Sequence, residues 1–338
     1  MKKFRYITAL CFVCFCMVGP APVFAAPRKV VIKLASLVPE NTPWGDAFNR
    51  MVKEWSEATN GEVELVIYHN GIAGNESDVL RKLKMNQIQA AVLSTLGLST
   101  ITPGIITVSC PFLIRDDTEL DLVLKDLKPE LERRINSKGF YTLAWSKVGW
   151  LKFFSKAPVF TPDDMKKQKL GSSETEPALM DAFKAMGYQM IPVNMNQIVM
   201  SLTGGMVDAV YQSPVYAGGL QLFGLAKNMA DINVAPLMGG IIMNQAAWRS
   251  IPEKYKPELI RITKRMEAGL DTSILALEAE IIQTMKQYGL IINQLTPAQE
   301  QLWYDDGKRI IPALLGKTLD RETYRRIETI LTDHRVEQ

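Results

Sequence analysis

The chain has 338 residues, with 39 Lys or Arg against 36 Asp or Glu and a formal net charge of +3. That near balance, without basic clusters, argues against nucleic acid or an anionic membrane surface as the main partner. The two histidines, His69 and His334, are too few for a histidine-based metal site or a conventional Ser-His-Asp arrangement. Composition therefore points away from nucleic-acid binding and from conventional hydrolysis.

The first 25 residues have the pattern of a secretory signal peptide. Basic residues near the start precede an apolar run from Tyr6 to Val18, and a Gly-Pro break leads to Ala25, after which cleavage is predicted. The run is shorter than the ~20 residues that a membrane-spanning helix needs, so an anchor is the weaker interpretation. Export predicts a periplasmic protein. Cleavage leaves Cys110 as the one cysteine, so an intramolecular disulfide cannot form.

Strand and helix patterns alternate after the signal. Residues 29–35 and 63–68 are β-branched runs typical of buried strands, and apolar residues at helical spacing lie between them. Residues 119–136 predict a helix that is broken near Pro129. Repetition of this order predicts an α/β fold with mostly parallel strands, in which ligands bind at the carboxyl ends of the strands.

A second βα series begins with the short strand 169–173 and continues to residue 210, and it predicts a second domain. Between residues 257 and 289, apolar side chains recur every three or four positions. This pattern predicts a helix of about 30 residues, or ~45 Å, against a usual length of ~11–12 residues. Such a helix is long enough to cross both domains.

Sequence signatures of common enzymes are missing. The chain has no GxSxG elbow, Walker A loop, GxGxxG fingerprint or HExxH pair. Catalysis by carboxylates alone stays open, but no pair stands out from the charges expected on solvated helices. The sequence therefore predicts a protein that is not an enzyme and that has no cofactor and no metal.

The order of short motifs resembles the solute receptors of tripartite ATP-independent periplasmic (TRAP) transporters. Each motif is weak alone, but their succession is specific and runs from about Val31 to Pro252. The segments that carry the resemblance are residues 34–39, 57–65, 68–74, 110–114, 160–165, 187–193, 202–209 and 211–214.

The resemblance implies a two-lobed periplasmic-binding-protein clamp with mostly parallel sheets and a long helix spanning both lobes. Lobe I is expected in residues 26–148, with 237–273 returning to it. Lobe II is expected in residues 149–236, with 274–338 packing on it and across the hinge. The implied partners are a small-molecule ligand and the membrane permease subunits of a TRAP transporter, which couple uptake to an ion gradient.

Three positions depart from what the resemblance implies. The family usually holds an organic-acid carboxylate with an arginine, which binds through two hydrogen bonds. The corresponding residue here is Gly171. A second arginine corresponds to Leu151, and the usual asparagine corresponds to Ser213. These departures predict a ligand that is uncharged or largely apolar.

Aromatic and neutral polar side chains are the predicted ligand contacts. The main alternative is a carboxylate ligand held by Lys147 or Lys152. Another alternative is a clamp-derived interaction protein that binds a periplasmic helical-repeat partner. The predicted contacts are Trp44, Ser94, Trp145, Trp150, Gly171, Ser172, Asn194, Tyr211 and Ser213.

Overall fold

A computed structural model describes residues 29–173, 177–194 and 197–337. The predicted signal peptide and its cleavage site lie outside the described residues. The strands are β1 Val30–Ala35, β2 Val63–Tyr68, β3 Ala90–Ser94, β4 Phe140–Ser155, β5 Lys169–Ser173, β6 Gln189–Val193, β7 Ala209–Gln212, β8 Asn228–Ala230, β9 Ala235–Asn244 and β10 Ile291–Asn293. The helices are α1 Pro43–Ala58, α2 Glu76–Lys84, α3 Thr95–Ser99, α4 Gly104–Val108, α5 Asp117–Ser137, α6 Pro162–Lys166, α7 Pro177–Ala185, α8 Ile198–Thr203, α9 Pro214–Gly219, α10 Gln245–Ser250, α11 Lys256–Gln287, α12 Pro297–Leu314 and α13 Arg321–Val336.

The strands pair in the order β2-β1-β3-β9-β4-β7-β5-β6, and β8 and β10 attach beside β4. The pairs β1–β2, β1–β3, β5–β6, β5–β7 and β8–β10 are parallel. The pairs β3–β9, β4–β9, β4–β7 and β4–β8 are antiparallel. The sheet is more mixed than the sequence predicted, because β4 and β9 carry the chain between the lobes in opposite directions.

Strand β4 crosses from one lobe to the other. Its first part pairs with β9, and its last four residues, from Lys152 to Ser155, pair with β7 in the second lobe. The register shifts between Lys147 and Gly149, where Gly149 has a φ of 106°. A left-handed residue at a bulge favours glycine, which allows the strand to bend at the hinge.

Helix α11 has 32 residues, which confirms the long helix expected from the sequence. It packs on α1 and β4 and continues to α9. Leu259, Ile262 and Leu270 are buried near its start, and Met285 is buried near its end. The helix therefore joins both lobes. Within the described residues, no helix is both long and apolar enough to cross a membrane.

Helix α5 is continuous through Pro129, so the predicted break there is wrong. A proline inside a helix removes one backbone hydrogen bond and strains the preceding turn. Here the loss is offset by burial on both sides of it, because Val123, Leu127 and Leu131 face the core. Tertiary packing thus outweighs the local preference for a break.

One hydrophobic cluster extends through both lobes. At its centre the ring of Phe112 lies 5.4 Å from that of Trp303 and 6.3 Å from that of Phe153, between centroids. Two smaller clusters lie on the opposite side of the sheet, one in each lobe. Helix α12 packs on α6 and α7, whereas α13 packs on α4 and α5. The C-terminal helices therefore contact both lobes.

Candidate functional site

The candidate site lies where the parallel strands of each lobe end toward the other lobe. In lobe I, strands β1, β2 and β3 run parallel to one another, and β4 continues past their ends into lobe II. In lobe II, strands β5, β6 and β7 are parallel. In open α/β sheets, ligands bind in the crevice at the carboxyl ends of the strands. We call this crevice the cleft.

Ser94 ends β3 on the lobe I side of the cleft and is exposed. Its backbone N–H donates to Glu76 Oε1 at 2.6 Å, and its hydroxyl donates to Glu76 Oε2 at 2.9 Å. Glu76 is the first residue of α2. Gly97 faces the same carboxylate, since a Cβ at this position would lie 2.8 Å from Glu76 Cδ. The sequence predicted Ser94 and missed Glu76, because the two are 18 residues apart.

On the lobe II side, neutral polar groups follow the strands. Ser172 Oγ and the Tyr211 hydroxyl lie 3.0 Å apart and share a hydrogen bond, as neighbours on β5 and β7. Asn194 follows β6 at an exposed position. Ser213 caps α9, because its Oγ accepts from the Tyr216 N–H at 3.2 Å. The structure therefore brings Ser172 and Tyr211 into direct contact, whereas Ser213 has a local structural partner.

The predicted tryptophans are not equally accessible. Trp145 is 2% exposed and donates from Nε1 to Glu132 Oε1 at 2.8 Å. Trp150 is 4% exposed and donates from Nε1 to Asp117 Oδ1 at 3.3 Å. Trp44 is half-buried at the start of α1. In this conformation little of Trp145 or Trp150 is open to a solute, and their role as ligand contacts stays a prediction.

Gly171 faces an apolar layer of lobe II. A Cβ at this position would lie 3.2 Å from Val207 Cγ1 and 3.5 Å from both Val193 Cγ2 and Val210 Cγ1. These valines belong to the cluster under α8 and α9. Leu151 is partly buried against the large cluster. In this conformation, side-chain space at Gly171 is filled by core residues.

The two lysines considered as carboxylate anchors both have acidic partners. Lys147 forms an ion pair with Asp121 of α5. Lys152 is 9% exposed, and its Nζ lies 3.4 Å from Asp231 Oδ1. Burying a charge with its partner is tolerated, whereas removing the partner leaves a costly isolated charge. A ligand carboxylate would therefore bind either lysine beside the aspartate already paired with it, using one of the three N–H donors of the ammonium.

Two carboxylates of helix α11, Asp271 and Glu278, lie beside the crossing strand β4. The sequence did not single them out. Burial raises the pKa of Glu278, against the opposing effects of Lys152 and the Trp150 N–H. Burial likewise raises the pKa of Asp271, which accepts from the Lys147 N–H at 3.3 Å. A helical spacing of seven places both carboxylates on one side of α11. Only the contact with β4 distinguishes them from solvated helix charges.

The remaining candidates for reactivity or metal binding are the Cys110 thiol and groups of acidic, histidine or cysteine side chains. Burial raises the pKa of the Cys110 thiol to about 12, so the nucleophilic thiolate is scarce at neutral pH. Among the described residues, no three His, Cys, Asp or Glu side chains come together in a way that suits a metal ion. At the strand ends the described residues place the Ser172–Tyr211 hydroxyl pair and the Ser94–Glu76 pair.

Two lobes joined by crossing strands and a long helix, with a cleft at the strand ends, define a receptor of the periplasmic-binding-protein type. The sequence pattern of the family "bacterial extracellular solute-binding protein, family 7" matches residues 34–316. The chain belongs to this family. It is a TRAP solute-binding receptor and not an enzyme, as the sequence predicted.

Known relatives agree with this placement. The Escherichia coli K12 2,3-diketo-L-gulonate-binding periplasmic protein YiaO is 26% identical over 253 residues, covering 72% of this chain and 74% of that protein. A TRAP periplasmic solute-binding protein from Ochrobactrum anthropi has a TM-score of 0.82 at 18% identity, covering 93% of this chain and 98% of its own. One from Sulfurospirillum deleyianum, solved with bound succinate, has a TM-score of 0.76 at 23% identity, covering 89% and 98%.

Proposed function

We propose that this chain is exported, cleaved after Ala25, and captures a small, uncharged or largely apolar solute between its lobes. It then delivers the solute to an ion-coupled TRAP-type permease in the membrane. The family membership supports the receptor role and the permease partner. The chemistry of the cleft supports the class of solute. Closure follows because ligand contacts made by both lobes favour the closed state over the open one.

The main support for an uncharged or largely apolar solute is a set of exposed apolar side chains next to the strand ends. Leu37 follows β1, Ile72 follows β2 and Leu96 follows β3, and all three are exposed, Ile72 by 71%. On the lobe II side, Val199 and Met200 of α8 are exposed, Met200 by 72%. Exposed apolar side chains near the strand ends of both lobes are available to bury apolar ligand surface. We call this set the apolar rim.

The two lysines considered as anchors for an organic acid are each paired with an aspartate. Lys147 is paired with Asp121, and Lys152 is paired with Asp231. A carboxylate moved from water into a cleft without a paired cation loses several kcal/mol in desolvation. The apolar rim, by contrast, gains from burial of apolar ligand surface.

An organic-acid receptor is the second candidate. One relative is named as a 2,3-diketo-L-gulonate-binding protein, and one similar structure was solved with bound succinate. Both compounds are carboxylates. For this chain the candidate would require the ligand carboxylate to bind Lys147 or Lys152 beside the aspartate already paired with it. The helical-repeat partner that the sequence left open gains no supporting observation among the described residues.

The test is to identify the solute that the protein carries. Protein purified from the periplasm is denatured, and the released small molecules are identified by mass spectrometry. We expect a neutral or largely apolar compound. In parallel, dicarboxylates such as succinate and sialic-acid-like acids should not raise the melting temperature. A true ligand at about 100 times its dissociation constant adds ~2.7 kcal/mol, which shifts the melting temperature by several degrees. A clear upward shift with a simple organic acid would favour the second candidate.

A further inference from the structure

Two carboxylates of α11 bind the crossing strand β4 on either side of its bulge. Asp271 Oδ1 accepts from the Lys147 N–H at 3.3 Å, and the Glu278 carboxylate accepts from the Trp150 N–H. The register of β4 shifts between Lys147 and Gly149, so one contact lies before the bulge and the other lies after it. The long helix is therefore attached to the hinge strand at two points.

The spacing of these two contacts matches along the helix and along the strand. The helix rises about 10 Å from Asp271 to Glu278. The strand extends about 10 Å from Lys147 to Trp150. Gly149, with a φ of 106°, allows the strand to bend more sharply than a hydrogen-bonded helix does. A bend of β4 at Gly149 would therefore move at least one N–H away from its carboxylate.

The Glu278 carboxylate is confined by the same bulge. Its Oε2 is buried and has no hydrogen-bond partner among the described residues, and a Cβ at Gly149 would clash with it. Burial without a full set of partners disfavours a charged carboxylate more than the neutral acid. Burial accordingly raises the pKa of both Glu278 and Asp271. Both groups are thus easier to protonate in this conformation than in one where water reaches them.

The charged groups on neighbouring elements do not reverse this effect of burial. Lys152 of β4 attracts the Glu278 carboxylate but is also paired with Asp231, at 3.4 Å, and Asp117 of α5 repels it. On the next turn of α11, the contact with α9 is apolar, between Ile281 and Gly218. The charged groups that act on Asp271 are Lys147 of β4, which is paired with Asp121, Lys128 of α5 and Glu267 of α11.

We propose that Asp271 and Glu278 form a pH-sensitive attachment between α11 and the hinge of β4. The protonated pair stabilises the conformation described here, and ionisation favours conformations in which β4 bends at Gly149 and water reaches the carboxylates. The balance between lobe conformations, and with it solute capture, then depends on pH. This inference goes beyond the proposed function and does not depend on the class of solute.

The test measures the distance between the lobes in the ligand-free mature protein by Förster energy transfer. Dyes with pH-independent emission are attached at Lys84→Cys on α2 and Lys184→Cys on α7, which are both exposed positions. Cys110 is buried, so the introduced thiols are the ones that react. We expect the transfer efficiency to change as pH rises from about 4.5 to about 8, a range above the ordinary pKa of both carboxyl groups. A difference of about one in pKa between two conformations changes their population ratio by up to about tenfold.

Neutral variants of the labelled protein identify the groups responsible. Asp271→Asn combined with Glu278→Gln imitates the protonated pair, so its transfer efficiency should stay at the low-pH value across the range. Each single variant should keep a smaller change than the unsubstituted protein. Glu280→Gln is the matched control, because it removes an exposed carboxylate from the same helix, and it should keep the full pH dependence. Circular dichroism at each pH shows whether a variant is folded, and the single variants decide the test if the double variant is not.

Three results would overturn the inference. The first is a transfer efficiency that stays constant with pH in the unsubstituted labelled protein. The second is a change with pH that persists undiminished in the double variant or in both single variants. The third is an equal loss of pH dependence in Glu280→Gln and Glu278→Gln, which would assign the effect to the net charge of the helix. The class of solute is decided separately, by mass spectrometry of the bound compound.

Discussion

Trp150 lies on the crossing strand β4, and its indole packs in the cluster that joins the lobes. It is 4% exposed, and its Nε1 donates to Asp117 at 3.3 Å. Because deletion of a buried aromatic ring costs about 3–5 kcal/mol, we expect Trp150→Ala to lower the free energy of unfolding by that amount. Urea denaturation provides the measurement, with the half-buried Trp44→Ala as the comparison. Weakened ligand binding with unchanged stability would instead support the ligand contact that the sequence predicts.

Gly171 and Ser94 illustrate what the sequence predicts about single residues and what depends on the fold. Strand alternation predicts that Gly171 and Ser172 point to opposite sides of the sheet, but not which side faces the cleft. The valines around Gly171 assign its side to an apolar layer. Ser94 was predictable as the end of a strand. Its partner Glu76 was not, since only the fold brings the start of α2 to the end of β3.

At the scale of elements, the pKa values of Glu267 and Glu278 on α11 are shifted in opposite directions. Burial raises the pKa of Glu278 above the usual 4.5, because Lys152 only partly compensates for lost hydration. Burial opposes ionisation of Glu267 as well. The ammonium groups of Lys128 and Lys264, each 2.9 Å from a carboxylate oxygen, outweigh it and lower the pKa of Glu267.

These opposite shifts predict opposite effects of neutralisation on stability. Because the pKa of Glu278 is higher in the folded than in the unfolded protein, stability is lost as pH rises from the unfolded-state pKa through the folded-state pKa. Glu278→Gln should therefore melt at a higher temperature than wild type at about pH 7.5 and at the same temperature at about pH 4. Because the pKa of Glu267 is lower in the folded than in the unfolded protein, its carboxylate stabilises the fold at pH values above the unfolded-state pKa. Glu267→Gln should therefore melt at a lower temperature than wild type at about pH 7.5, and the difference should shrink as pH falls. Melting temperatures across this range provide the measurement. Shifts of the same sign in both variants would contradict the assignment.

Elements with strong periodicity were predictable, and elements shaped by distant contacts were not. The long helix follows from apolar spacing alone, and the observed α11 differs from residues 257–289 by one or two positions. Strand β4 contains Gly149, whose φ of 106° is unusual inside a strand. Pairing with β9 and then β7 carries the strand through that glycine to Ser155. The continuity of α5 through Pro129 likewise depends on packing.

At the scale of the molecule, the core is shared between the lobes. The largest cluster contains Leu124 of α5, Phe183 of α7 and Trp303 of α12. Strand β9, which returns late in the chain, lies between β3 and β4 and pairs with both. Helix α13, later still, covers α4 and α5. Each lobe is therefore completed by segments that are distant in sequence, and lobe closure must bend β4, β9 and α11 together.

This sharing predicts that residues 26–148 expressed alone will not form a stable domain. Without β9, strands β3 and β4 lose the backbone partner between them, and without α11 and α13 the apolar faces on both sides of the sheet meet water. Exposed apolar surface costs about 25 cal/mol per Å², and a domain is stable by only about 5–15 kcal/mol, so the lost burial exceeds the margin. Circular dichroism and urea titration of the fragment, beside the full mature chain, should show non-cooperative unfolding of the fragment and a cooperative transition of the full chain. A sharp, reversible transition of the fragment would contradict a core shared between the lobes.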